Sequence, residues 1–243
     1  KFSPASTFKL FTLVAALEDG IPLSTTLPGG TSYTSQKYDN PPGGYHNAEG
    51  LSASNISIAK ATEMSINTAY VQLEERVGIP AVADAAKRLG ITSIGEPGTS
   101  AYPGKKEGTF TLGVRDVSVT DMAGAYAAVA AHGRWCPPTL VKSVRLPSGV
   151  VINNPVEQRC RQAIDPAVAD TAASVLKGVV DTGTGRPAAL PGRPSAGKTG
   201  TGEDNGSAWF AGFTPQLAAA VWTGDPRSPK YTLHGVMGYE TVY

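Results

Sequence analysis

The last third of the chain carries the pattern that most limits its fold. Residues 195–202, 207–213 and 217–223 read as strands, separated only by short connections that contain Asp204-Asn205-Gly206 and Thr214-Pro215. Connections this short join antiparallel neighbours, because parallel pairing needs a crossover of a dozen or more residues. Upstream the apolar spacing is helical. It predicts helices over 3–20, 56–63, 68–77, 81–89, 118–132 and 166–180, the first opened by Ser3 as N-cap with Pro4 at the first helical position. Between them, 21–50 is rich in Gly, Pro, Ser, Thr and Tyr and reads as surface loops and short extended pieces. Residues 141–146 and 150–153 read as a hairpin around Pro147-Ser148-Gly149. Helices first and strands last imply an α+β fold with an antiparallel sheet, and 243 residues suffice for one domain with a full core.

Charge and composition exclude several roles. Lys plus Arg number 21 against 20 Asp plus Glu, with no long run of one sign, so a nucleic-acid partner has no electrostatic footprint. The longest apolar run, 10–17, is far short of the roughly 20 residues of a bilayer span. The chain starts at Lys1 rather than Met and reads as an internal piece of something longer. Cys136 and Cys160 lack CxxC spacing and fit either two buried thiols or one disulfide. There is no G-x-S-x-G and no H-E-x-x-H, and His46, His132 and His234 stand in unrelated contexts, so neither a metal nor a cofactor is expected.

Chemistry concentrates in three short segments. In Ser6-Thr7-Phe8-Lys9 the serine and lysine share a helix face. A serine needs a base to act as nucleophile at neutral pH, and a lysine supplies one when burial and nearby positive charge keep its amine neutral. A helix N-terminus there favours negative charge on the serine oxygen or on an attacked carbonyl. The tetrad alone says little, since Ser57-Ile58-Ala59-Lys60 matches it equally. What separates them is Ser65-Ile66-Asn67, which offers a second hydroxyl and an amide. On a continuing helix it lies about 12 Å of rise from Ser57, whereas Ser6, on a separate helix, is free to meet it. Alone, Ser65-Ile66-Asn67 reads as a cap or turn. The third segment, Lys198-Thr199-Gly200-Thr201, puts a lysine and hydroxyls on a strand beside a glycine, which suits a peptide with a free carboxylate; by itself it is a polar edge strand. Residues 192–199 also fit the phosphate-loop pattern G-x-x-x-x-G-K-T, but a proline-rich lead-in and the following Gly200-Thr201-Gly202 deny that motif its strand and helix.

Ser-x-x-Lys, Ser-x-Asn and Lys-Thr-Gly in this order are the signature of penicillin-recognising serine enzymes. With the frame of residues 3–9, 64–68, 112–126, 197–201 and 208–215, the chain resembles the transpeptidase domain of penicillin-binding proteins, of the bifunctional class A kind. The resemblance implies one transpeptidase domain over 1–243, with a five-stranded antiparallel sheet flanked by helices whose terminal elements lie partly outside the chain. It makes Ser6 the nucleophile, Lys9 its base and Ser65 the proton relay, with Asn67 and Lys198 ordering the network. Thr199 and Thr201, around Gly200, would hold the substrate carboxylate, and the backbone N–H groups of Ser6 and Thr201 would form the oxyanion hole. The implied partners are D-Ala-D-Ala stem peptides of peptidoglycan, an acceptor amine, β-lactam antibiotics and a fused glycosyltransferase domain, on the outer side of a membrane to which the longer protein is anchored. Such a location favours a Cys136–Cys160 disulfide. Carboxypeptidases, β-lactamases and non-catalytic β-lactam sensors share the motifs; no E-x-x-L-N-like stretch follows Ser65, which favours transfer over hydrolysis. Gly202 stands where the family commonly has a hydroxyl residue.

Overall fold

The computed structural model describes residues 1–227 and 231–233; His234 lies outside them. The chain enters through a 3-10 turn, Ala5–Phe8, and continues into α1, Lys9–Glu18, buried at every position from Lys9 to Ala16. A helix apolar on all sides belongs at the centre of a domain. Here α3, α4 and α6 all pack against α1.

The 21–50 stretch is mostly loop with short pairings. β1, Thr26–Gly29, β2, Ser32–Tyr33, and β3, Tyr45–His46, precede β4, Ala53–Ser57. β2 pairs with β3, and β1 with β4 through Leu27 opposite Ile56. The helix expected from residue 56 therefore starts two residues later, as α2, Ile58–Glu63. Ile56 serves the strand instead, because its pairing with Leu27 buries it. Then come α3, Asn67–Val77, α4, Ile79–Arg88, and α5, Val119–Ala130, which Ser118 caps by accepting from Asp121 N.

β5, Arg134–Trp135, leads to Cys136, which is disulfide-bonded to Cys160. The chain between these cysteines leaves the body of the fold as an exposed hairpin of β6, Ser143–Arg145, and β7, Val151–Asn153, and β8, Arg161–Gln162, returns to pair with β5. α6, Pro166–Asp181, follows Asp165, whose carboxylate accepts from Ala167 N.

The meander forms as the turn residues require. β9, Ala196–Thr201, β10, Ser207–Thr214, and β11, Leu217–Gly224, pair antiparallel in the order β11-β10-β9, with Gly200 opposite Trp209 and Trp209 opposite Trp222. Among the described residues this sheet has three strands. α5 lies against β10 and β11 and α6 against β9, so β9 is an edge strand held between α6 and the turn before α1.

Candidate active site

Ser6 is presented by a turn rather than by the first turn of an α-helix. Ser3 does not cap α1: its hydroxyl donates to Gly113 O at 2.6 Å. Ala5 sits at φ +47°, a conformation costing of order 1–3 kcal/mol in a residue with a Cβ. Several contacts hold it. Thr7 N and Thr7 Oγ1 donate to Pro4 O at 3.3 and 2.7 Å, and Trp209 Nε1 and Tyr126 OH donate to Ser3 O and Thr7 O at 2.7 and 2.9 Å. Gly113, itself at φ +78°, lies so close to the Ala5 backbone that no side chain fits there. Ser6 ends partly exposed, while Lys9 one turn on is fully buried.

Lys9 reaches the second motif. Its Nζ lies 2.7 Å from Ser65 O, 2.6 Å from Asn67 Oδ1 and 3.2 Å from Ser65 Oγ, with the Tyr70 ring 5.3 Å away. The first two oxygens only accept, so a neutral amine spends both N–H groups on them and keeps its lone pair for a proton. Asn67 is oriented from its other end, where Nδ2 donates to His46 O at 2.9 Å. Ser65 is at φ +57°, so the turn between α2 and α3 aims its hydroxyl and carbonyl together at Lys9. Ser6 Oγ and Lys9 Nζ are not hydrogen-bonded to each other; catalytic contacts of this kind often close only around a substrate.

The third motif supplies charge and hydroxyls. Lys198, mid-strand in β9, is fully buried, and its Nζ donates to Thr199 O at 3.2 Å. Burial pulls its pKa down to about 7. Lys9 is lowered well below the ordinary lysine value, first by burial and second by the positive charge of Lys198. Gly200 lets the Ser6 turn lie on the strand: a Cβ there would stand 2.7 Å from Pro4 O and 3.2 Å from Thr7 N. Thr199 is nearly buried and Thr201 partly exposed.

The structure thus brings Lys9, Ser65 and Asn67 into direct contact, sets Lys198 within electrostatic reach, and packs the Gly200 strand against the turn bearing Ser6. The competing features separate. Ser57 Oγ accepts from Lys60 N at 3.2 Å and caps α2, and Lys60 pairs with Glu63 at 2.8 Å on the surface. Lys198-Thr199 lies inside a strand, where a phosphate loop would start a helix. The His46 side chain is exposed, and His132 pairs with Asp170 in solvent.

The transpeptidase domain model of penicillin-binding proteins matches residues 1–230. The chain belongs to the penicillin-binding protein transpeptidase family. It is similar to penicillin-binding protein 1A of Mycolicibacterium smegmatis, 35% identical over 242 residues, which cover 93% of this chain and 29% of that protein. Penicillin-binding protein 1A of Mycobacterium tuberculosis is 36% identical over 259 residues, covering 96% and 30%. The chain therefore spans about three tenths of the length of these curated relatives. Among solved structures, the M. tuberculosis PonA1 protein in complex with penicillin V superposes with a TM-score of 0.84 at 34% identity, over 98% of this chain and 64% of that one. The imipenem acyl-enzyme complex of M. tuberculosis penicillin-binding protein A gives 0.78 at 27% identity, over 93% and 56%. The α+β class and the antiparallel sheet expected from sequence are those of this family.

One contact escapes the motifs. Thr184, in a Gly183-Thr184-Gly185 loop after α6, places its hydroxyl 2.6 Å from that of Thr199. In sequence the triplet reads as a helix stop, and only the strand's position discloses its neighbour.

Proposed function

We propose that this chain is the D,D-transpeptidase domain of a peptidoglycan synthase, acting through an acyl-enzyme on Ser6. The carrying observation is the fully buried Lys9 amine, one turn from Ser6, hydrogen-bonded to Asn67 and in contact with the Ser65 hydroxyl beside Lys198. Ser6 Oγ attacks the penultimate D-Ala carbonyl of a stem peptide while neutral Lys9 takes its proton. The backbone N–H groups of Ser6 and Thr201 receive the oxyanion, and such a donor contributes roughly 3–4 kcal/mol at the transition state. Ser65 passes a proton to the leaving amine, the C–N bond breaks and the terminal D-Ala departs. An amine from a neighbouring stem then attacks the ester, frees Ser6 and leaves a crosslink. Thr199 and Thr201 hold the substrate carboxylate, and Lys198 adds positive charge.

A β-lactam enters by the same attack, which opens its ring amide; the penicillin and imipenem complexes of the similar structures support this. The domain, residues 1–243, works outside a membrane as part of a longer anchored protein that also carries a glycosyltransferase. The Cys136–Cys160 disulfide fits an oxidising compartment. Among the described residues no helix is long and apolar enough to cross a membrane.

Mass spectrometry after exposure to a labelled penicillin tests the reading. One adduct is expected, on Ser6, absent in Ser6→Ala and retained in Ser57→Ala. An adduct elsewhere, or none, overturns it. Release of D-Ala matched by crosslinked product, only with an acceptor amine present, separates transfer from hydrolysis.

A further inference from the structure

The loop after α6 touches one motif segment directly and the end of the helix that leads into another. Thr184 N donates to Glu63 O at 3.0 Å and Gly185 N to Val179 O at 2.9 Å, and Gly183 lies against the Glu63 carbonyl where a side chain has no room. Glu63 ends α2, two residues before Ser65. With its hydroxyl on Thr199, the loop ties the turn that presents Ser65 to the strand that presents Thr199.

Proton counting gives this tie a direction. Each hydroxyl has one proton to donate, so two hydroxyls 2.6 Å apart share a single proton along their line. If Thr199 donates to Thr184, its proton is withheld from any ligand. If Thr184 donates, the Thr199 proton is free to point elsewhere. A carboxylate facing Thr199 only accepts, so the pair must take the second arrangement, and a donor whose own oxygen accepts a hydrogen bond is polarised into a stronger donor.

Resting on the proposed function, in which Thr199 binds the substrate carboxylate, we propose that Thr184 is a positioning residue for that carboxylate: its hydroxyl donates to Thr199 Oγ1 and turns the Thr199 hydrogen toward the anion. Thr184 thereby favours substrates with a free C-terminal carboxylate over neutral esters or amides, without touching them. A cavity of about 260 Å³ borders the pair, walled also by Gly185, Trp209, Phe210 and Val221, while Ser6, Lys9 and Ser65 are not on its walls. Valine has threonine's shape but sets a methyl where the hydroxyl stood 2.6 Å from Thr199 Oγ1, so the pair must part toward the adjoining cavity, while the backbone bond to Glu63 stays in place.

The test measures the second-order rate of Ser6 acylation by mass spectrometry, with a penicillin bearing its free carboxylate and with the methyl ester of the same penicillin. Thr184→Val is expected to slow the free acid about 3- to 10-fold, the worth of one hydrogen bond, and to leave the ester's rate unchanged. Thr184→Ser restores the free-acid rate, and in a Thr199→Val background Thr184→Val has no further effect. An equal loss on acid and ester, a loss that adds fully to Thr199→Val, or no loss in Thr184→Val overturns the proposal; thermal melts of the variants separate a folding defect from these results. A wild-type chain that penicillin does not label at Ser6 overturns the proposed function itself. A labelled wild type with an indifferent Thr184→Val overturns only this inference.

Discussion

At residues 6–9 and again at 57–60 a serine precedes a lysine by one helical turn, and the two lysines end in opposite surroundings. Lys9 is removed from water and spends its amine on Ser65 and Asn67, 56 and 58 residues away in sequence. Lys60 keeps 49% of its side chain exposed and pairs with Glu63 on its own helix. Ser57 Oγ is occupied in capping α2, whereas Ser6, partly exposed on a strained turn, makes no hydrogen bond through Oγ among the described residues. The comparison locates the reactivity outside the tetrad. A lysine amine is pushed toward its neutral form where other segments bury it and add a second positive charge; left in solvent, the same Ser-x-x-Lys pattern makes a cap and a surface ion pair.

The largest expected effect follows from removing each amine. Lys9→Met should slow acylation of Ser6 by penicillin by about a hundredfold to ten-thousandfold, the range for loss of a positioned general base. Lys60→Met should leave the rate unchanged. Stopped-flow or mass-spectrometric rates on both variants check this, and equal effects would break the comparison.

A smaller effect is a displacement along the pH axis. On the proposed mechanism acylation should rise with pH as Lys9 loses its proton, and the Lys198 charge helps hold the Lys9 pKa down. Lys198→Met removes that charge, so the ascending limb should move to higher pH. Stability should change with a matching sign. Folded Lys198 titrates at about 7, far below an unfolded lysine near 10.4, so above pH 7 the unfolded chain binds the extra proton and stability rises with pH. Melting temperatures from pH 7 to 9 should therefore rise more in the wild type than in Lys198→Met, with Lys60→Met following the wild type.

Much of this contrast was legible in the sequence. The meander, the α3, α4, α5 and α6 helices and all three motif segments follow from turn residues, apolar spacing and residue chemistry, which act over a few neighbours. The positive φ of Ala5 and of Ser65 was not legible, because each is imposed by distant packing: Gly113 against Ala5, and the Lys9 amine drawing on the turn at Ser65. Ser3-Pro4 has the local signature of a helix start, yet Ser3 bonds to Gly113, 110 residues away. Ile56 fits a helix face and a strand face alike, and Leu27 across the β1–β4 pair decides it. Thr184 carries no motif, and its meaning arises only where β9 passes.

The smallest effect tests the other half of the comparison. Ser57 precedes α2 in extended conformation, at ψ 154°, and its hydroxyl accepts the Lys60 N–H, one of the donors that a helix start leaves unpaired. Ser57→Ala exposes that donor and should cost about 1 kcal/mol in urea unfolding, the usual value of an N-cap. Ser57→Asp should retain most of that stability, because its carboxylate accepts the same bond and lies favourably at the positive end of α2. Acylation of Ser6 should be unaffected in both, since the Ser57 and Lys60 side chains make their bonds on α2 itself. A Ser57→Ala chain that unfolds normally but acylates slowly would mean that the second tetrad supports the first, and the two would no longer be independent uses of one pattern.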